Sequence, residues 1–180
     1  MLGSVFTRLR TPVLGALIAI PTLAWAGQVH PSSDPNALPT HLRPATEAVA
    51  TVVRGALVQS ATLRELAATI EASDLLVFVE ISNEPSSWRG GTRFASTFVD
   101  GRMVIVTINA NLSAKERLAV LGHELQHACE VAADPDVTDQ AGMRRLFERV
   151  GHQEGLNTDI YETAAAQRIE RQVRLELTQP

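Results

Sequence analysis

The segment that most constrains the fold is residues 112–132, LSAKERLAVLGHELQHACEVA, which reads as one long helix. Ser113 followed by Glu116 fits an N-terminal capping box, and the next proline is Pro135. Apolar side chains recur every three or four positions along the segment, at Leu118, Leu121, Leu125, Ala128 and Ala132. This spacing predicts a helix with one continuous apolar stripe packed against a core.

Within this helix the sequence His123-Glu124-Leu125-Gln126-His127 contributes Leu125 to the stripe and places His123 roughly opposite it. At about 100° per residue, His123 and His127 are about 40° apart around the helix and about 6 Å apart along it, so both imidazoles can reach one ion. Glu124 lies about 60° beyond His127, near the ion but off the line of the ligands. A general base needs that position, because it must take a proton from water without using a coordination position.

The HELQH sequence resembles the active-site helix of the zincin metallopeptidases. A metzincin-like continuation is absent, because Glu130 occupies its glycine position and Ala133 its final histidine position. The resemblance is therefore to the glutamate-type zincins, the gluzincins, and it implies a zinc ion held by His123, His127 and a glutamate from a later helix. It also implies that Glu124 is the general base for peptide hydrolysis.

Three residues are candidates for the third zinc ligand. Glu162, in IYETAAAQR, is expected at the start of the last helix, where the small residues after it would let that helix pack closely. Glu130 shares a face with His123 but lies roughly 10 Å along the axis from it, so it fits better as a carboxylate that orients a histidine. His152 is the third candidate. A purely structural alternative makes Glu162 a capping acid three residues after an Asp159 N-cap.

Other parts of a peptidase site are less strongly indicated. Tyr161 and His152 are candidate stabilisers of the transition state. The segment RMVIVTINA resembles the zincin strand whose edge binds an extended substrate, and in the gluzincin pattern an aspartate stands where this chain has Ala166. Glu130 could supply that missing carboxylate. Trp88, in the preceding loop, either contacts substrate or covers the sheet.

The N-terminal 26 residues have the features of a signal peptide: Arg8 and Arg10, an apolar run, and the sequence Ala24-Trp25-Ala26 before the expected cleavage point. The run is short for a membrane-spanning helix, which needs about 20 apolar residues. An uncleaved N-terminal anchor is the alternative. Residues 27–44, rich in proline and polar side chains, indicate a flexible leader that includes His30 and His41.

The remaining segments predict one metallopeptidase-like α+β domain over residues 45–180. Two helices come first, the second with Ser60 as its N-cap, followed by the strand DLLVFVEIS. A hairpin turning at Asp100-Gly101 follows, with Val104, Val106 and Ile108 on one face. After the motif helix come helices near residues 138–150 and 159–177. We expect an antiparallel hairpin or sheet packed on the active-site helix.

Composition narrows the partners. The chain has 20 acidic and 16 basic residues, its only lysine is Lys115, and its only cysteine is Cys129. It carries no basic stripe, so we expect a peptide or protein substrate and no nucleic acid. Cys129 flanks the apolar stripe and is expected to be a small buried residue.

The sequence therefore predicts an exported zinc peptidase, periplasmic or extracellular and without a membrane span after signal cleavage. The alternatives are a zinc-binding structural or partner-binding domain without turnover, and an accidental motif in a metal-free module.

Overall fold

The computed structural model of the chain describes residues 38–85, 87–153 and 160–178. The predicted signal peptide, residues 27–37 of the leader and the predicted Asp159 cap lie outside these ranges. The helices are α1 (Glu47–Gln59), α2 (Ala61–Glu71), α3 (Ala114–Ala132), α4 (Gln140–Val150) and α5 (Ala164–Glu176). The strands are β1 (Leu42–Pro44), β2 (Leu75–Ser82), β3 (Gly90–Phe98), β4 (Gly101–Asn109), β5 (His152–Gln153) and β6 (Tyr161–Glu162). This content confirms the predicted α+β class.

The main sheet has the strand order β1-β2-β4-β3, and β5 pairs with β6 separately. The β3–β4 hairpin is antiparallel as predicted, but β1–β2 and β2–β4 are parallel, so the sheet is mixed. The expectation of an antiparallel sheet was wrong beyond the hairpin. Strand β4 lies between β2 and β3 and runs in the same direction as β2. Alternating apolar residues define the buried face of a strand but not the direction of its neighbour.

Residues 38–44 are part of this fold, although the sequence analysis assigned them to the leader. Leu42 is buried and lies opposite Val77 in the β1–β2 register. The Nδ1 atom of His41 lies 3.2 Å from the carbonyl oxygen of Ile70. The folded region therefore begins before Ala45, and its first strand is too short and too rich in proline to be recognised by pattern.

The core lies between the sheet and the helices. Val104, Val106 and Ile108 are all buried, as their alternation predicts. The predicted stripe of α3 is buried from Leu118 to Ala128, and Ala132 packs partly buried against the core. The side of α3 next to this stripe is covered by α5, which approaches closely at Gly122. A Cβ atom there would lie 2.9 Å from Cγ2 of Val173.

The predicted N-caps of α2 and α3 are confirmed: Ser60 accepts from the amide of Leu63, and Ser113 accepts from the amide of Glu116. The carboxylate of Glu116 instead accepts from Arg89 and Arg174. Helix α5 begins later than predicted, because Thr163 is its N-cap. Glu162 therefore lies on β6, one residue before the cap, and not inside the helix.

A buried arginine joins α3 to the sheet. The guanidinium of Arg102, on β4, donates to the carbonyl oxygens of residues just beyond or within the last turn of α3. These acceptors are Val131, Ala132, Asp134 and Val137. Both carboxylate oxygens of Asp74 complete its contacts. Arg102 thus adds a charged donor to four carbonyls at and after the helix end, of which Val131 and Asp134 also accept a backbone amide. No helix within the described ranges is long and apolar enough to cross a membrane.

We expect Arg102→Ala to lower the free energy of unfolding by about 3 kcal/mol or more, because several inward-facing carbonyls lose their only charged donor. Urea denaturation followed by circular dichroism measures the change. The matched control is Arg93→Ala on the neighbouring strand, where the side chain is exposed and the expected change is within about 0.5 kcal/mol. Equal stability of both variants would contradict the role assigned to Arg102.

Candidate metal centre

The two motif histidines face each other across a narrow gap. Both are nearly buried, with His123 6% and His127 5% exposed. Their Nε2 atoms are 3.2 Å apart, and Oε1 of Glu162 lies 3.2 Å from Nε2 of His123. Ligand atoms of these three residues all lie within 4.8 Å of one another. The helix supplies two of the groups, and β6 supplies the third from a different direction.

A carboxylate holds the other nitrogen of each ring. Nδ1 of His123 is 3.1 Å from Oε2 of Glu170, and Nδ1 of His127 is 2.9 Å from Oε2 of Glu130. When each Nδ1–H donates to its carboxylate, both Nε2 lone pairs point into the gap beside the Glu162 oxygen. Three acceptor atoms then converge with no donor among them, an arrangement that requires a proton or a cation between them.

The donor set fits a divalent ion that accepts imidazole nitrogen. Zn²⁺ binds nitrogen and carboxylate oxygen at about 2.0–2.2 Å, and tetrahedral geometry then separates the ligand atoms by about 3.3–3.6 Å. The two separations of 3.2 Å at His123 lie just below that range. Residues His123, His127 and Glu162 would hold the ion, and Glu130 would not, because its carboxylate is bound to the far side of the His127 ring and to Thr163.

Charges around the rings oppose the effect of burial. Burial lowers the pKa of His123, but the contacts with Glu162 and Glu170 outweigh it and raise the pKa to about 10. The contact with His123 lowers the pKa of Glu170 to about 2 against the effect of burial, with further help from Arg89. Without a metal ion, the two carboxylates therefore favour the protonated form of the His123 ring.

Glu124 lies beside the histidines but belongs to a different contact network. Its Oε2 accepts a hydrogen bond of 2.9 Å from Oγ1 of Thr92, on β3. Burial raises the pKa of the Glu124 carboxyl, although His127 and His123 act in the opposite direction. A carboxylate with a raised pKa is a better proton acceptor near neutral pH. Strand β3 can approach it because position 90 is glycine: a Cβ atom there would lie 2.6 Å from Cγ1 of Val120 and 3.0 Å from Oε1 of Glu124.

The site opens into a cleft of about 600 Å³ between β3, α3, α4 and the segment before α5. Trp88 lines this cleft, as does Tyr161, whose hydroxyl lies 3.3 Å from Oε1 of Glu148 on α4. His152 is exposed and is not among the described residues that line the cleft. Its backbone pairs with Glu162 in the β5–β6 ladder, so it supports the strand that carries Glu162.

Several residues that support the metal centre were not predicted from the sequence. Glu170 holds His123, while Arg89 and Arg174 each donate at 2.6 Å to its second oxygen. The sequence does contain a signal for Glu170, since it lies on the buried face of α5 between Ala166 and Val173. An acid on an apolar stripe needs a buried partner. The partner, 47 positions earlier in the chain, cannot be identified by spacing.

Cys129 takes no part in the centre. It is partly buried, and its Sγ atom is 3.7 Å from the carbonyl oxygen of Leu66. Burial, together with the charge of Glu130, raises the pKa of its thiol to about 12. Such a thiol is not a nucleophile at neutral pH, in agreement with its expected structural role.

No protein-family model, curated protein or solved structure matches the chain.

If the centre binds zinc, Glu162→Gln should weaken binding far more than Glu130→Gln. The first change replaces an anionic ligand with a neutral amide, whereas the second replaces a carboxylate that orients a ligand, which typically costs about 10- to 100-fold in affinity. Competition with a chromophoric chelator measures both dissociation constants. A larger loss in Glu130→Gln would contradict the assignment of ligands.

Zinc binding should also release about one proton near pH 7.5, because the raised pKa of His123 means that the ion displaces a proton. As pH falls, the proton on His123 competes better with zinc, so the apparent affinity for zinc decreases by about tenfold per pH unit. Isothermal titration calorimetry in buffers with different ionisation enthalpies measures the proton count. Affinity independent of pH between roughly 6.5 and 8.5 would contradict the charge state assigned to His123.

Proposed function

We propose that the protein is a zinc-dependent peptidase resembling the glutamate-type zincins. The observation that carries this proposal is the placement of Glu124. It lies on the same helix as two converging imidazoles, outside the group of candidate ligands, and it lines a cleft large enough for a peptide. A purely structural metal site would not need an additional buried carboxylate with a raised pKa beside it.

Zinc suits the mixed nitrogen and oxygen donors of this centre, and when bound it would supply a Lewis acid that lowers the pKa of water and polarises a carbonyl group. Glu170 and Glu130 keep the Nδ1 protons of the two histidines in place, so that both Nε2 atoms remain ligand atoms. The burial of both rings limits competition from bulk water.

Glu124 would act as the general base. Thr92 donates to Oε2, which leaves Oε1 to accept a proton from the attacking water and return it to the departing amine. Gly90 is beside Oε1, where any side chain would crowd the atom. The proton acceptor is thus positioned by β3 as well as by its own helix.

The substrate would be an extended peptide bound along β3. The sequence analysis assigned this role to β4, but β4 is an interior strand, paired with both β2 and β3. Edge strand β3 lines the cleft at Gly90, Gly91 and Thr92. Main-chain hydrogen bonds to an edge strand give affinity for peptides of many sequences, because they do not involve the side chains of the peptide.

Tyr161 lines the cleft and would assist in stabilising the transition state, whereas the exposed position of His152 gives no support for a catalytic role. The features of residues 1–26 support export to the periplasm or outside the cell.

We expect Glu124→Gln to keep stoichiometric zinc and lose about 10²- to 10⁴-fold in peptide hydrolysis, because it removes the base without removing a ligand. Metal analysis and cleavage of an unfolded-protein or random-peptide library measure the two properties. Glu65→Gln, at an exposed position of α2, is the matched control. Zinc binding without hydrolysis by the unmodified protein would favour a zinc-binding structural or partner-binding domain, and absence of stoichiometric zinc would exclude both functions.

A further inference from the structure

The edge of β3 that does not pair with β4 has only a short run of free backbone groups, because other contacts occupy both of its ends. The amide of Asn109 donates to the carbonyl oxygen of Arg89, at 3.0 Å, so residues 89, 91 and 93 point their backbone groups toward β4. Residues 90, 92 and 94 therefore point theirs outward. The outward amide of Phe94 confirms this alternation, because it donates at 3.0 Å to Oε1 of Gln140.

One end of the edge is closed by the loop before β3. The carbonyl oxygen of Trp88 accepts a hydrogen bond of 2.6 Å from Nδ2 of the buried Asn109, and its amide donates to Pro85. These bonds occupy the backbone groups that would extend the edge beyond Gly90. Arg89 adds contacts to Glu116 and Glu170, which attach the loop to α3 and α5.

The other end is closed by the N-terminal turn of α4. Gln140 is the first residue of that helix and also lines the cleft. Beside it, Oγ1 of Thr97 donates at 2.8 Å to the carbonyl oxygen of Thr138. Among the described residues, the outward groups of Gly90 and Thr92 are left between these two closures, beside Glu124.

We infer that Gln140 ends the peptide-binding edge of β3 and so determines how long a segment of extended substrate the cleft recognises. Gly90 and Thr92 offer two amides and two carbonyls, which pair with about three consecutive residues of an added strand. The side-chain oxygen of Gln140 takes the next amide, that of Phe94, in place of a peptide carbonyl. This inference rests on the proposed binding of peptides in this cleft.

The test uses the zinc-loaded Glu124→Gln protein, so that no probe is cleaved. The probes are acetylated, amidated peptide pools of three and of six residues, randomised at every position. In the variant that also carries Gln140→Ala, the affinity ratio of the six-residue pool to the three-residue pool should rise roughly three- to tenfold over the ratio with Gln140 intact. Comparing ratios cancels the larger number of registers available to a longer peptide. Gln140→Glu keeps an acceptor oxygen and should retain the original ratio.

Amide hydrogen exchange supplies a second readout. Both pools should protect Gly90 and Thr92 in every variant, and only the six-residue pool should protect Phe94, and only in Gln140→Ala. An unchanged ratio would overturn the inference, as would self-association of Gln140→Ala without a change in ratio, which would show that Gln140 covers the edge against aggregation.

Failure of the inference can be told apart from failure of the proposed function. If the pools protect Gly90 and Thr92 with the expected ratios while the unmodified protein hydrolyses nothing, the limited edge stands and hydrolysis fails. If the unmodified protein hydrolyses peptides and the ratios are equal, hydrolysis stands and the role of Gln140 fails. No binding by any pool would overturn the inference.

Discussion

Helix α3 can carry a polar site through the middle of the protein because its C-terminal end is held by the buried guanidinium of Arg102. That side chain, on β4, donates hydrogen bonds to carbonyl oxygens at the end of the helix and in the turn after it. It also donates to the carboxylate of Asp74. With this end attached to the sheet and the middle packed against α5 at Gly122, the rotation of α3 is fixed. The directions of His123 and His127 follow from that rotation.

The cost of burying so many ionisable groups is offset by pairing them. Glu170 illustrates this, since one oxygen contacts His123 and the other accepts from Arg89 and Arg174. Glu130 is divided in the same way between His127 and Thr163. Each imidazole is thus held by a carboxylate that has hydrogen bonds of its own. These contacts fix the positions of the two rings, although their Nε2 lone pairs and the Glu162 oxygen would otherwise repel one another. Glu124 lies outside this pairing, bound to Thr92 on the strand that borders the cleft.

Sequence reasoning succeeded where one helix or one hairpin decides the outcome. The facing of His123, Glu124 and His127 and the burial of Leu121 and Leu125 follow from helical periodicity alone. It failed where distant segments meet. The parallel pairing of β2 with β4 depends on which strand returns between two others, and the contact of Glu170 with His123 joins residues 47 positions apart. The start of α5 was misplaced because Thr163 caps it after a two-residue strand. Whether the centre binds metal stays a prediction.

The most direct test of the account is a crystal structure of the purified protein with zinc, with diffraction recorded on both sides of the zinc absorption edge. We expect one anomalous peak within about 2.0–2.2 Å of Nε2 of His123, Nε2 of His127 and a carboxylate oxygen of Glu162. Glu124 should remain bound to Thr92 and outside the coordination sphere. No peak between the two histidines, or a peak coordinated by Glu130 in place of Glu162, would contradict it.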